Sequence, residues 1–149
     1  MTRLIYLVVA VVMLSLSHVQ SAKAQADENF WYTLAKIKYE KKTDEYGFEI
    51  QYPIFSKEVK QWEGKRIRLR GYIVPLEELR GQKYFMFSSL TFNVCFFCGG
   101  AGPETIVETF TANEITFTND IITLEGTLEL NQDDPDHHMY MMKDARLVK

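Results

Sequence analysis

Two segments of the chain carry the same short pattern, and that pattern restricts the fold severely. Ile67-Arg68-Leu69-Arg70-Gly71-Tyr72-Ile73 and Ile122-Thr123-Leu124-Glu125-Gly126-Thr127-Leu128 alternate apolar and polar residues, and in both a glycine falls on the apolar side four residues after the isoleucine. Period-two alternation makes a strand with one buried face. A glycine on that face removes a side chain where a strand has to bend sharply. Used twice, the pattern is what a small coiled barrel needs. Tyr84–Leu90, Thr105–Phe110 and Met139–Val148 supply three further strands, with a weaker ladder at Ile115–Phe117. The expected fold is mostly β: a small five-stranded OB-like barrel with an N-terminal amphipathic helix.

That helix is read from Phe30, Leu34 and Ile37, which recur at helical spacing while Trp31 widens the stripe, and it is expected to run to Lys41 or Lys42. Asp44-Glu45-Tyr46-Gly47-Phe48 is turn-like. Tyr52-Pro53-Ile54-Phe55-Ser56 then leads into a short helical turn, Lys57 to Trp62, capped by Ser56. The expected organisation is a signal peptide over 1–24, a helical N-terminal segment over 25–63 that packs on the barrel, and the barrel itself over 64–149.

The signal is read from Arg3, the apolar run Leu4 to Leu16, and the small residues Ala22 and Ala24 around Lys23. The run is shorter than the roughly 20 residues needed to cross a bilayer, so cleavage after Ala24 and release to the periplasm or outside the cell are expected, with no stable membrane span. Cleavage would remove Arg3 and Lys23, so the 17 basic groups fall to 15 against 20 acidic ones. That balance argues against a nucleic-acid partner, because a phosphate-neutralising surface shows as a basic excess. Arg66, Arg68 and Arg70 are expected instead to pair with Glu125 and Glu129 across the sheet.

Cys95 and Cys98 are the two cysteines of the chain, and Gly99, Gly100 and Gly102 follow them closely. Three readings stand open. Two thiolates at C-x-x-C spacing can grip one tetrahedral ion, but a closed zinc site needs four ligands. The remaining candidates lie in Asp133-Asp134-Pro135-Asp136-His137-His138-Met139-Tyr140-Met141-Met142, where His137 or His138 could join the thiols. If Met139 opens the last strand, His137, Met139 and Met141 share a face. Sulfur and imidazole favour zinc or cuprous copper over calcium or magnesium. The bland reading of the segment is a solvated acidic turn whose methionines fill the barrel.

Redox exchange is the second reading. Reactive pairs usually sit at a helix N-terminus, and here the glycines lead to a strand instead. The backbone N–H groups of Gly99, Gly100 and Gly102 could form a nest that favours an anion. The third reading is a structural disulfide that stiffens a turn, with the glycines supplying positive φ. Haem attachment is excluded because Gly99 stands where a histidine is required. No nucleotide or haem is expected as a cofactor, and no Ser-His-Asp order or glycosidase-like arrangement stands out, so hydrolysis is not expected and an accessory role is favoured over an enzymatic one.

Gly71-Tyr72-Ile73-Val74-Pro75-Leu76-Glu77, the run Cys95 to Thr105, and Leu124-Glu125-Gly126-Thr127-Leu128 together resemble a family of small exported bacterial proteins of unknown function. In its members a G-Y-x-x-P-L-E strand end precedes a cysteine-containing, proline-rich loop. They are similar to accessory proteins encoded near metal-uptake or lipoprotein-type ABC transporters. The resemblance implies a metal-binding or metal-handling accessory, for zinc or copper, serving an envelope transporter or another periplasmic protein. Many members carry a histidine two residues after the first cysteine. This chain has Phe97 there and Cys98 next, so a Cys-Cys pair replaces a Cys-His one. The alternatives are a periplasmic thiol-disulfide protein using Cys95 and Cys98, and a non-catalytic protein-binding module with a structural C-x-x-C bridge.

Overall fold

The computed structural model describes residues 30–43, 46–76, 82–95, 97 and 99–148. The expected export signal and Cys98 lie outside the described residues. Among the described residues no helix is long and apolar enough to cross a membrane.

A short helix, α1 (Phe30–Leu34), opens the described chain and buries Phe30 and Leu34, one turn apart on the same side. Beyond it the structure departs from the expected helix. Residues 37–43 form strand β1 (Ile37–Thr43), which pairs antiparallel with β2 (Glu49–Phe55) as a separate two-stranded sheet. Ile37 completes the helical stripe of Phe30 and Leu34, but it also begins a period-two pattern with Tyr39. Pairing with β2 decides between the two. Pro53 fits because, among the described residues, this sheet has only two strands and no third one that would need an N–H from it. The segment 25–63 is therefore a hairpin flanked by short helices, as far as it is described. The second of these, α2 (Lys57–Lys60), is capped as expected: Ser56 Oγ accepts from Val59 N at 3.3 Å.

Strands β3 (Arg66–Val74), β4 (Gln82–Ser88), β5 (Ile106–Ile115), β6 (Ile122–Leu130) and β7 (Tyr140–Val148) close a barrel in the order β3-β4-β5-β7-β6. The β5–β7 pair is parallel and the other contacts are antiparallel. Ile67, Leu69, Ile73, Phe85, Phe87, Val107, Leu124, Leu128, Tyr140 and Met142 belong to one buried cluster. Full burial of side chains of this size contributes about 1.5–3 kcal/mol each before the entropy of ordering is subtracted.

The two glycines sit where the alternation placed them. The first six residues of β3, Arg66 to Gly71, pair with β6, and the last three, Tyr72 to Val74, pair with β4. Gly71 is the joint, and a Cβ there would collide with the Ser88 carbonyl oxygen. Gly126 lies under Met142, and a Cβ would strike Met142 Cγ and stand 2.9 Å from the Lys143 carbonyl oxygen. Opposite it the β6–β7 register shifts, with Glu125 facing Arg146 and Thr127 facing Lys143. Asp144, at φ 49°, takes up the extra residue. The strand thereby bends around the barrel.

α1 and the β1–β2 hairpin are fixed to the barrel by polar contacts. Tyr140 Oη donates to the Leu34 carbonyl at 2.6 Å, satisfying an acceptor that the end of α1 leaves open. Tyr39 Oη donates to Glu104 Oε2 at 3.1 Å, and Met139 Sδ lies 3.8 Å away. Trp31 Nε1 donates to the Arg70 carbonyl at 2.9 Å.

Candidate functional site

The loop between β4 and β5 carries the cysteines. A 3-10 turn, Phe92–Val94, delivers Cys95 to the outside of the barrel, where Val74, Met86 and Ile106 bury it completely. Its thiol is free. A second 3-10 turn, Pro103–Thr105, returns the chain to β5. The glycines shape this loop from within. Gly99 has φ +73°, and Gly100 N donates to the Cys95 carbonyl at 3.4 Å. A Cβ at Gly100 would stand 2.6 Å from the Val94 carbonyl oxygen. The Gly102 carbonyl accepts from Thr105 N and Thr105 Oγ1 at 3.1 and 2.7 Å. The Gly100 N–H is thus spent on backbone.

The histidines precede β7 in a tight turn held by Asn131, whose side chain donates to the Asp134 and His137 carbonyls and accepts from Asp134 N. Tyr140, not Met139, opens the last strand. Met139 and Met142 join the core, as the bland reading of this segment expected, while His137 and Met141 face outward. The two histidine rings have different surroundings. His137 Nδ1 lies 2.9 Å from Glu108 Oε1, and its ring packs edge-on against Phe110. His138 is largely buried. Tyr140 N donates to its Nδ1 at 3.2 Å, with the Tyr140 carbonyl at 3.3 Å, and the Pro103 backbone also faces the ring.

Glu108 organises this face, and sequence reasoning missed it. On β5 it is 1% exposed and accepts from Tyr84 Oη at 2.8 Å and His138 N at 2.8 Å in addition to His137. Burial pushes its carboxyl pKa up, but the hydrogen bonds from His137, His138 N and Tyr84 outweigh burial and hold it below the ordinary value. The hydrogen bond to Glu108 and its charge raise the His137 pKa, while burial lowers that of His138. Because an ionised carboxylate only accepts, the His137 proton facing it resides on Nδ1. In the neutral ring Nε2 then keeps its lone pair. A carboxylate behind a histidine in this way is the arrangement that orients metal-binding imidazoles.

Cysteine and histidine segments share this outer face. Met86 stands directly opposite Glu108 across the β4–β5 ladder and also packs on Cys95, and Ile106 of the same cluster lies two residues before Glu108 on β5. Met86, which shares a buried cluster with Cys95, and Glu108, which holds His137, are thus cross-strand partners on β4 and β5. Among the described residues, no three His, Cys, Asp or Glu side chains converge as a metal-holding group.

No family model matches the sequence, and no curated protein does. Among solved structures the chain is similar to a DUF3299 family protein from Pseudomonas aeruginosa PAO1, with 22% identity and a TM-score of 0.47, over 61% of this chain and 66% of that one.

Proposed function

We propose that the protein is an exported metal-binding accessory built on an OB-type barrel, taking zinc or cuprous copper for an envelope transport system. Cys95 and Cys98 supply thiolates and His137 supplies imidazole, with the fourth position left to a carboxylate or water. The observation that carries this reading is the His137–Glu108 contact, which commits Nδ1 and leaves Nε2 for a ligand on the face that holds the Cys95 loop. His138 drops behind His137 as a ligand because its Nδ1 is engaged by the backbone of Tyr140 and its ring is buried.

Burial of Cys95 among Val74, Met86 and Ile106 favours a second reading, a non-catalytic binding module in which the thiol is a packing group. Elemental analysis of protein purified from the exported fraction without chelator separates the two. The metal reading expects about one zinc or copper per chain, lost in Cys95→Ser, Cys98→Ser and His137→Ala and retained in His138→Phe. Metal-free protein that stays unchanged on adding zinc or cuprous ion under reducing conditions would overturn it.

A further inference from the structure

On a different part of the barrel surface, three arginines converge on one carboxylate. Arg68, Glu125 and Arg146 stand directly opposite one another across β3, β6 and β7. Glu125 is 2% exposed. Its Oε2 accepts from Arg68 Nε at 2.6 Å, and its Oε1 accepts from Arg66 Nε at 3.2 Å and from Arg146 Nη2 at 2.5 Å. Arg66 Nη2 also donates to the Glu125 carbonyl at 3.3 Å.

One carboxylate neutralises one of these charges and leaves two. Neutralising the buried Glu125 takes one cation, and the Arg146 side chain is 67% exposed, so solvent screens much of what the third arginine adds to stability. The arrangement does account for a different property. Arg68 engages Glu125 through Nε and Arg146 through Nη2, so each planar guanidinium is held at one nitrogen while, among the described residues, no further acceptor takes its other N–H groups. Fixed forks of this kind suit a tetrahedral oxyanion that can accept paired hydrogen bonds. Two residual positive charges match a phosphate monoester, which carries about −1.5 to −2 at neutral pH.

The geometry points to a phosphoryl-binding site formed by Arg66, Arg68 and Arg146 around Glu125, specific for a phosphate dianion. The same chemistry is offered by soluble phosphates and by the headgroup of a phosphomonoester lipid. Calorimetric titration with inorganic phosphate, and co-sedimentation with phosphatidylcholine vesicles with and without phosphatidic acid, distinguish these sources. The expected result is saturable binding in one or both arms, weakened at least tenfold by Arg146→Gln and only partly by Arg146→Lys, with the unfolding temperature retained. Should Arg146→Gln not fold, Arg66→Gln carries the same test. Absence of saturable binding in both arms, equal binding by the folded glutamine variant, or tighter binding of single-stranded DNA than of either phosphomonoester would overturn the assignment.

Discussion

His137 Nδ1 donates to Glu108 Oε1 across 2.9 Å, joining the turn before β7 to a carboxylate buried on β5. The contact links stability to pH in both directions. Glu108 has a lowered pKa, so its contribution is present above the ordinary carboxyl value of 4.5 and is lost as pH falls through the folded value. His137 has a raised pKa, so its contribution is complete below the ordinary imidazole value of 6.5 and is lost as pH rises through the folded value. The unfolding-temperature gap between the parent and His137→Ala should therefore be widest between 4.5 and 6.5. It should narrow on both sides. A gap independent of pH would show that the pair is not proton-linked.

Gly71 and Gly126 should differ in what they tolerate. At Gly71 the obstacle to a Cβ is the Ser88 backbone at the joint where β3 changes partners, and backbone cannot move without opening the β3–β4 ladder. At Gly126 the nearest obstacle is the flexible side chain of Met142, with the Lys143 carbonyl behind it. Gly71→Ala should cost about 3 kcal/mol and Gly126→Ala about 1–2 kcal/mol, the range of overpacked cores. Chemical denaturation measures both. Equal and small losses would remove the bend at Gly71 as the reason for its glycine.

Glu125→Gln should destabilise the barrel by about 1–3 kcal/mol, less than the loss of a fully buried ion pair because its arginines are partly solvated. Hydrogen bonding from Arg68 first, and then from Arg146 and Arg66 against the opposing effect of burial, holds the Glu125 pKa at about 2. Its contribution is present above the ordinary value of 4.5 and fades as pH falls toward about 2. Acid unfolding of the parent and Glu125→Gln should thus converge at low pH.

β4 and β5 bury successive residues over 85–88 and 106–109 and so carry little alternation, whereas β3 and β6 were legible because apolar residues and glycine alternate with polar ones along them. β1 was not, because Ile37 satisfies the helical stripe of Phe30 and Leu34 as well as the alternation with Tyr39, and only pairing with β2 separates them. The bulge at Asp144 did leave a signal: the buried residues Tyr140, Met142 and Ala145 are spaced by two and then by three. Glu108 left none. In Val107-Glu108-Thr109 it reads as a solvent-facing strand residue, and it becomes buried only when the turn carrying His137 and His138 folds over β5. Cys95 was legible as a candidate, but its burial depends on Val74, Met86 and Ile106, which come from three separate elements or their ends.

That burial yields a prediction that separates packing from ligation. Cys95→Ala leaves a small void and should cost about 1 kcal/mol. Cys95→Ser nearly preserves volume but places a hydroxyl in an apolar cluster, so it should cost more, about 1–3 kcal/mol. The order Ser worse than Ala in metal-free protein reports packing alone. Zinc then adds a second readout. A ligand that binds only the folded state stabilises it by about 2.7 kcal/mol at a hundredfold excess over Kd. If the Cys95 thiolate is a ligand, added zinc should raise the unfolding temperature of the parent and leave both variants unmoved, and the rise should shrink as acid protonates thiolate and imidazole. A zinc-induced rise that survives in Cys95→Ser would place the metal elsewhere and leave Cys95 a core residue.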